Sequence, residues 1–228
     1  MSNSIIQRYE NLNPSSVVLS SVKKNKSGGK TVYINAPDNK KLYLQLPFMR
    51  SPYGLSSYTD EATGRTSFSL DLSFDRDNEE ASALKEKLQE LDQMILQTVA
   101  DNSKEWLGKP YNIEVIREAL YKPLVRPGKD DWPDSLKLKV MTKPSGDFVP
   151  EAYDMSQKPL PMDSIEKGQK CMCICDFNQI WFVDNKFGVS VRLSQVLCER
   201  SQKLPSFAFQ GVDTEVSSIG NDDCEIDE

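Results

Sequence analysis

The sequence predicts a mainly β fold, an antiparallel barrel with one long helix between two groups of strands and a disordered acidic tail. Three observations predict it. Apolar residues recur with a period of two over residues 17–74 and again over 135–199. Between these blocks the period lengthens to that of a helix. No strand–helix–strand alternation runs along the chain, which argues against a parallel sheet. The 228 residues are 38% hydrophobic and 27% charged, enough to bury one core.

The first strand group opens with a hairpin. Residues 17–23 and 30–35 flank Ser27-Gly28-Gly29, a turn signal. In the second arm Val32 and Ile34 share one face while Thr31, Tyr33 and Asn35 share the other. After a turn at Asp38-Asn39, residues 41–48 place Leu42, Leu44, Leu46 and Phe48 inward, with Lys41, Tyr43 and Gln45 outward. Ser51-Pro52-Tyr53-Gly54 breaks the strand, and 56–65 reads as a loop. In 67–74, Phe68, Leu70, Leu72 and Phe74 point inward.

The helix is predicted over 78–100. Leu84, Leu88, Leu91, Ile95 and Val99 fall on one stripe. Asp77 or Asn78 caps its start, and Glu79 and Glu80 suit the helix dipole. A short second helix is expected over 112–120, then a connection carrying Pro123, Pro127 and Pro133. The second strand group comprises 135–141, 170–177, 180–184 and 188–199, separated by a loop with Pro144, Pro150, Pro159 and Pro161. Lys137 and Lys139 face outward from the first of these, and Arg192 from the last. Strands, a helix, then strands again fit an OB-fold. The domain spans 1–211 and the tail 212–228.

Composition narrows the chemistry. The chain has no histidine, which excludes Ser-His-Asp and Cys-His nucleophile pairs and histidine zinc sites. Five cysteines form no even framework, so a reducing, intracellular compartment is expected. No signal peptide or membrane span is legible, and the protein is read as not secreted and not membrane-bound. Cys171, Cys173 and Cys175 lie on one strand face with Phe177. One straight strand cannot easily wrap three thiolates around zinc, so they read as core and no metal or cofactor is expected. Gly29-Lys30-Thr31 resembles the end of a P-loop, but the first glycine is missing and no helix follows. Asp130-Asp131 and Asp222-Asp223 are acid pairs on non-rigid segments, so a nuclease is not favoured. Trp181 lies in phase with Val183 and reads as core.

The formal net charge of −6 conceals two opposite parts. Residues 1–58 carry eight bases and two acids, while 213–228 carry seven acids and no base. Without those sixteen residues the chain is nearly neutral. A basic face fits a polyanion, and the tail imitates one. Single-stranded nucleic acid needs cations along its phosphates and aromatic rings under its bases. The outward phase and basic hairpin supply candidates. Lys23, Lys24, Lys26, Lys30, Lys41, Arg50, Lys137, Lys139 and Arg192 would meet phosphates. Tyr33, Tyr43, Tyr53 and Tyr58 would stack.

The pattern resembles the single-stranded-DNA-binding proteins of T-seven-type bacteriophages. Residues 42–56, around Pro47-Phe48-Met49-Arg50-Ser51-Pro52-Tyr53-Gly54, and residues 180–190, opening Ile180-Trp181-Phe182-Val183, resemble the relatives in nucleo-cytoplasmic large DNA viruses, algal viruses included. The resemblance implies a non-enzymatic factor in viral DNA replication, recombination and repair. It implies an acidic tail (Asp222, Asp223, Glu225, Asp227 and Glu228) that contacts a viral DNA polymerase or helicase–primase and competes with DNA. It is also compatible with a homodimer, and with a site of action in the host nucleus or a cytoplasmic replication site. The phage proteins end in an aromatic residue, whereas this chain ends Ile226-Asp227-Glu228. The rival reading is an interaction or scaffold module of a viral transcription or virion complex.

Overall fold

The computed structural model describes residues 5–24, 29–200 and 208–210. Lys26 and the five tail acids named above lie outside them. Strands β1 (Ile6–Arg8), β2 (Val18–Leu19), β3 (Lys23–Lys24), β4 (Lys30–Asn35), β5 (Tyr43–Arg50), β6 (Leu55–Thr59) and β7 (Thr66–Ser73) come first. Helices α1 (Glu79–Asp101), α2 (Ser103–Trp106) and α3 (Ile113–Val115) follow, the last running into a π turn at Ile116–Leu120. Strands β8 (Tyr121–Lys122), β9 (Val125–Arg126), β10 (Ser135–Val140), β11 (Glu151–Asp154), β12 (Pro159–Leu160), β13 (Lys170–Val183) and β14 (Lys186–Cys198) come last.

The protein is mostly β, built on one large mixed sheet. Five long strands close a ring within it. β7 pairs with β10, β10 with β14, β14 with β13, β13 with β5, and β5 returns to β7. The expectation of antiparallel pairing holds for most of this ring, but β10 and β14 meet in parallel, as do β1 with β5, β8 with β14 and β11 with β14. Leu44, Leu46, Leu70, Leu72, Leu138 and Phe177 fill the core. The α1 stripe of Leu84, Leu88, Leu91, Ile95 and Val99 is fully buried. Asn78 caps the helix by accepting from Ala81 N–H at 3.0 Å.

Several local expectations fail, each for a stated reason. Residues 55–59 are not loop but the strand β6, because their backbone pairs with β7 from Leu55↔Leu70 to Thr59↔Thr66. The Pro-rich segments carry the short strands β8, β9, β11 and β12. Phe48 is only half-buried and Met49 takes its place in the core. An irregularity in the β13–β5 register, between Met172 and Ile174, shifts the phase of β5 at Pro47. The two strands expected over 170–184 are one, β13, whose register with β14 is irregular between Ile174 and Cys175 and again at Asn178.

One buried carboxylate ties α1 to the β8–β9 segment. Asp92 accepts from the Tyr121 hydroxyl, and from Leu124 N–H at 3.2 Å to each oxygen. Burial outweighs these donors and raises its pKa from 3.8 to about 6. Burial, then the Asp92 charge, pushes the Tyr121 phenol well up. A raised folded-state pKa means the folded protein holds a proton the unfolded chain gives up. Asp92 therefore contributes most to stability below pH 3.8, and that contribution is lost as pH rises through about 6. Between pH 4.5 and 7.5 the loss should reach about 2 kcal/mol. Urea unfolding of wild type and Asp92→Asn at both pH values checks this. The difference between the two proteins should change by that amount, and a constant difference would refute it.

Candidate nucleic-acid interface

The candidate surface follows from strand phase. β13 points Cys171, Cys173, Cys175 and Phe177 inward, all fully buried. The extra residue at Asn178 then reverses the alternation, so Ile180 and Phe182 turn inward. Phe182 packs on Phe187 and, edge-on, on Trp106. Trp181 is forced outward, contrary to the sequence expectation. Its register partner is Gly188, and a Cβ built there would stand 3.1 Å from the Trp181 ring. The glycine is what lets the indole lie across β14.

Outside the ring lies a cleft of about 390 Å³. Trp181, Tyr58 and Phe68 give it aromatic walls, and Arg126, Lys137 and Lys139 give it three cations. Ser67, Ser69 and Ser190 complete its polar lining. Phe68 is held by an edge-on contact with Phe148, ring centroids 5.0 Å apart. Asp71 faces Lys137 across the β7–β10 pair. Partial burial raises its pKa, while Lys137 and Arg126 pull it back down. The cleft therefore presents more positive than negative charge.

Register extends the surface beyond the cleft. Lys139 pairs with Arg192, Arg192 with Asp176, and Asp176 with Tyr43. Lys41 Nζ lies 3.6 Å from Asp176 and 5.7 Å from the Tyr43 ring centroid. A second row joins Tyr33 to Gln179 and Ser190, with Lys23 Nζ 5.2 Å from the Tyr33 ring centroid. Arg192 Nε, Asp176 Oδ1 and Asn178 Oδ1 are buried with no hydrogen-bond partner among the described residues. Unpaired buried polar atoms are costly.

The structure thus brings Tyr58, Lys137 and Lys139 into the cleft and sets Arg192, Tyr43, Lys41, Tyr33 and Lys23 beside it. Others are employed elsewhere. Arg50 binds Asp75 through two nitrogens, at 2.8 and 2.6 Å, and shares a recess with Asp77, Glu79 and Glu80. Lys30 donates to the Glu105 and Trp106 carbonyls at 2.8 and 3.1 Å, closing the end of α2. Tyr53 and Lys24 are exposed but do not line the cleft. Sequence reasoning missed Trp181, Phe68 and Arg126. A glycine facing a tryptophan across a hairpin was the available sign for the first.

Residues 66–211 match the family described as a family of unknown function (DUF5871). The chain belongs to that family. The DUF5871 match spans β7 to the end of the described chain and so takes in four of the five ring strands. Among solved structures, the chain is similar to the single-stranded DNA-binding protein of bacteriophage Enc34 in complex with ssDNA. Identity is 15%, coverage 83% of this chain and 98% of that one, and the TM-score 0.40. It is also similar to gp2.5, a single-stranded DNA binding protein encoded by bacteriophage T7. There identity is 13%, coverage 71% and 93%, and the TM-score 0.46. No curated protein matches by sequence. Among the described residues no cluster of cysteine and carboxylate side chains is arranged to hold a metal ion, and no helix is long and apolar enough to cross a membrane.

Proposed function

We propose that this DUF5871 protein binds single-stranded DNA without sequence preference, as a non-enzymatic factor in viral DNA replication, recombination and repair. The observation that carries the reading is the cleft, where Trp181 and Tyr58 stand with Arg126, Lys137 and Lys139. Bases stack on the rings and phosphates follow the cations, a combination indifferent to sequence. We read the five-strand ring as an OB-type barrel, whose outer strand face commonly carries such ligands. The acidic tail is assigned the second role: it competes for the cationic face and recruits a viral DNA polymerase or helicase–primase.

Anisotropy titration with a labelled oligo-dT tests this. The logarithm of affinity should fall with that of salt by about 0.7 per phosphate neutralised. Deleting residues 213–228 removes seven acids and should tighten binding at low salt. Absence of binding at low salt by both full-length and tail-deleted protein would refute the proposal.

One observation favours the rival protein-interaction reading. A second cleft of about 540 Å³ on the outer surface is lined by Met172, Ile174, Leu197 and Tyr153. Apolar side chains at a surface groove suit a protein partner better than a phosphate backbone. Tyr33→Ala with Tyr43→Ala separates the readings, since DNA affinity falls under the first and is untouched under the second.

A further inference from the structure

Cys171 and Cys198 are direct register partners on β13 and β14. Both are buried, and their sulfurs lie 3.8 Å apart, in van der Waals contact. The adjoining pair is hydrogen-bonded, with Glu199 N–H donating to Lys170 O at 2.9 Å. Cys171 and Cys198 therefore form a non-hydrogen-bonded pair, whose α-carbons stand about 4.5 Å apart. A disulfide spans roughly 4.4–6.8 Å between α-carbons, so the backbone already suits the bond. Neither neighbouring cysteine has this arrangement. Cys173 faces Val196 and Cys175 faces Leu193.

The contact also differentiates the two thiols. Either thiol can donate in this contact; with Cys171 as donor, the Cys198 pKa is lowered and that of Cys171 raised. Burial pushes Cys173 and Cys175 up with no thiol donor to compensate. Cys198 is the last residue of β14, and local opening of that strand end would admit a small oxidant.

We propose that Cys171 and Cys198 are a redox-responsive pair that closes to a cross-strand disulfide when exposed to a peroxide. The Cys198 thiolate attacks one peroxide oxygen. The O–O bond breaks, the departing hydroxide takes a proton, and Cys198 becomes a sulfenic acid. Cys171 sulfur then attacks Cys198 sulfur and the S–O bond breaks. The Cys171 proton leaves with the hydroxide as water. Two thiols and one hydrogen peroxide become one disulfide and two waters. The bond staples β13 to β14 where the chain leaves the barrel for its C-terminal segment. It does not depend on the DNA-binding reading.

The test treats the full-length protein with hydrogen peroxide, blocks free thiols, and reads intact mass, melting temperature and a tryptic map. The expected product, weighed before thiol blocking, is about 2 Da lighter and reverts with dithiothreitol. Its Tm rises by roughly 5–15 °C through closure of the intervening loop. The map links the peptide beginning at Cys171 to the one carrying Cys198, and fragmentation places the bond on Cys171. Cys173→Ser and Cys175→Ser keep the link, whereas Cys171→Ser loses it. Because wild type alone supplies the map, a variant that fails to fold does not block the test. Unchanged mass, oxygen addition without a link, or a link to Cys173, Cys175 or Cys224 would each overturn the proposal.

Discussion

Trp181→Ala should weaken binding to oligo-dT by about 5- to 150-fold, the cost of one lost base–aromatic stack of about 1–3 kcal/mol. The indole is outward and only partly buried, so its removal leaves the core intact. Trp181→Phe keeps a ring over Gly188 and should retain most of the affinity. Intrinsic fluorescence gives an independent readout. Of the three tryptophans, Trp106 is buried, Trp132 is exposed away from the cleft and Trp181 lines it, so DNA should quench wild type and quench Trp181→Ala much less. Equal affinity and equal quenching in both proteins would remove Trp181 from the interface.

The second large effect is electrostatic. Replacing Arg126, Lys137 and Lys139 together with alanine deletes three cleft cations. The slope of log affinity against log salt should become shallower by about 2, at about 0.7 per contact. Affinity at low salt should fall on the order of 100-fold if each charged contact contributes about 1 kcal/mol. Wild type and variant should converge as salt rises, which a merely destabilised protein would not show. Arg50→Ala supplies the contrast. Its guanidinium already belongs to Asp75, so DNA affinity should stay within about two-fold while urea stability drops with the loss of a partly buried ion pair. A shallower slope for Arg50→Ala and an unchanged one for the triple variant would reverse the assignment of the cationic surface.

Legibility in the sequence tracked the range of the interaction involved. Alternation alone oriented Leu70, Leu72, Leu136 and Leu138 inward and Lys137 and Lys139 outward, because a pleated strand leaves no other choice. The stripe from Leu84 to Val99 was equally plain. Errors began where the alternation was interrupted. Pro47 and Asn178 each shift the phase by one, so Phe48, Trp181 and Val183 were assigned to the wrong face. Competition for cations was invisible too. Lys30 and Arg50 read as free, yet the Glu105 carbonyl and the Asp75 carboxylate that engage them lie 75 and 25 residues away in sequence. Arg126 read as part of a connection because two-residue strands leave no periodic trace.

The extra residue at Asn178 gives β13 one position of slack. Counted without it, Phe177, Ile180 and Phe182 alternate inward as an unbroken pleat, with Gln179, Trp181 and Val183 on the other face. A one-codon deletion at 178 should therefore straighten the strand and leave all five following side chains on their present faces. Deleting Phe177 or Ile180 instead takes a fully buried side chain out of the core. A deletion scan of 176–180 scored for soluble expression should show its best-tolerated position at 178.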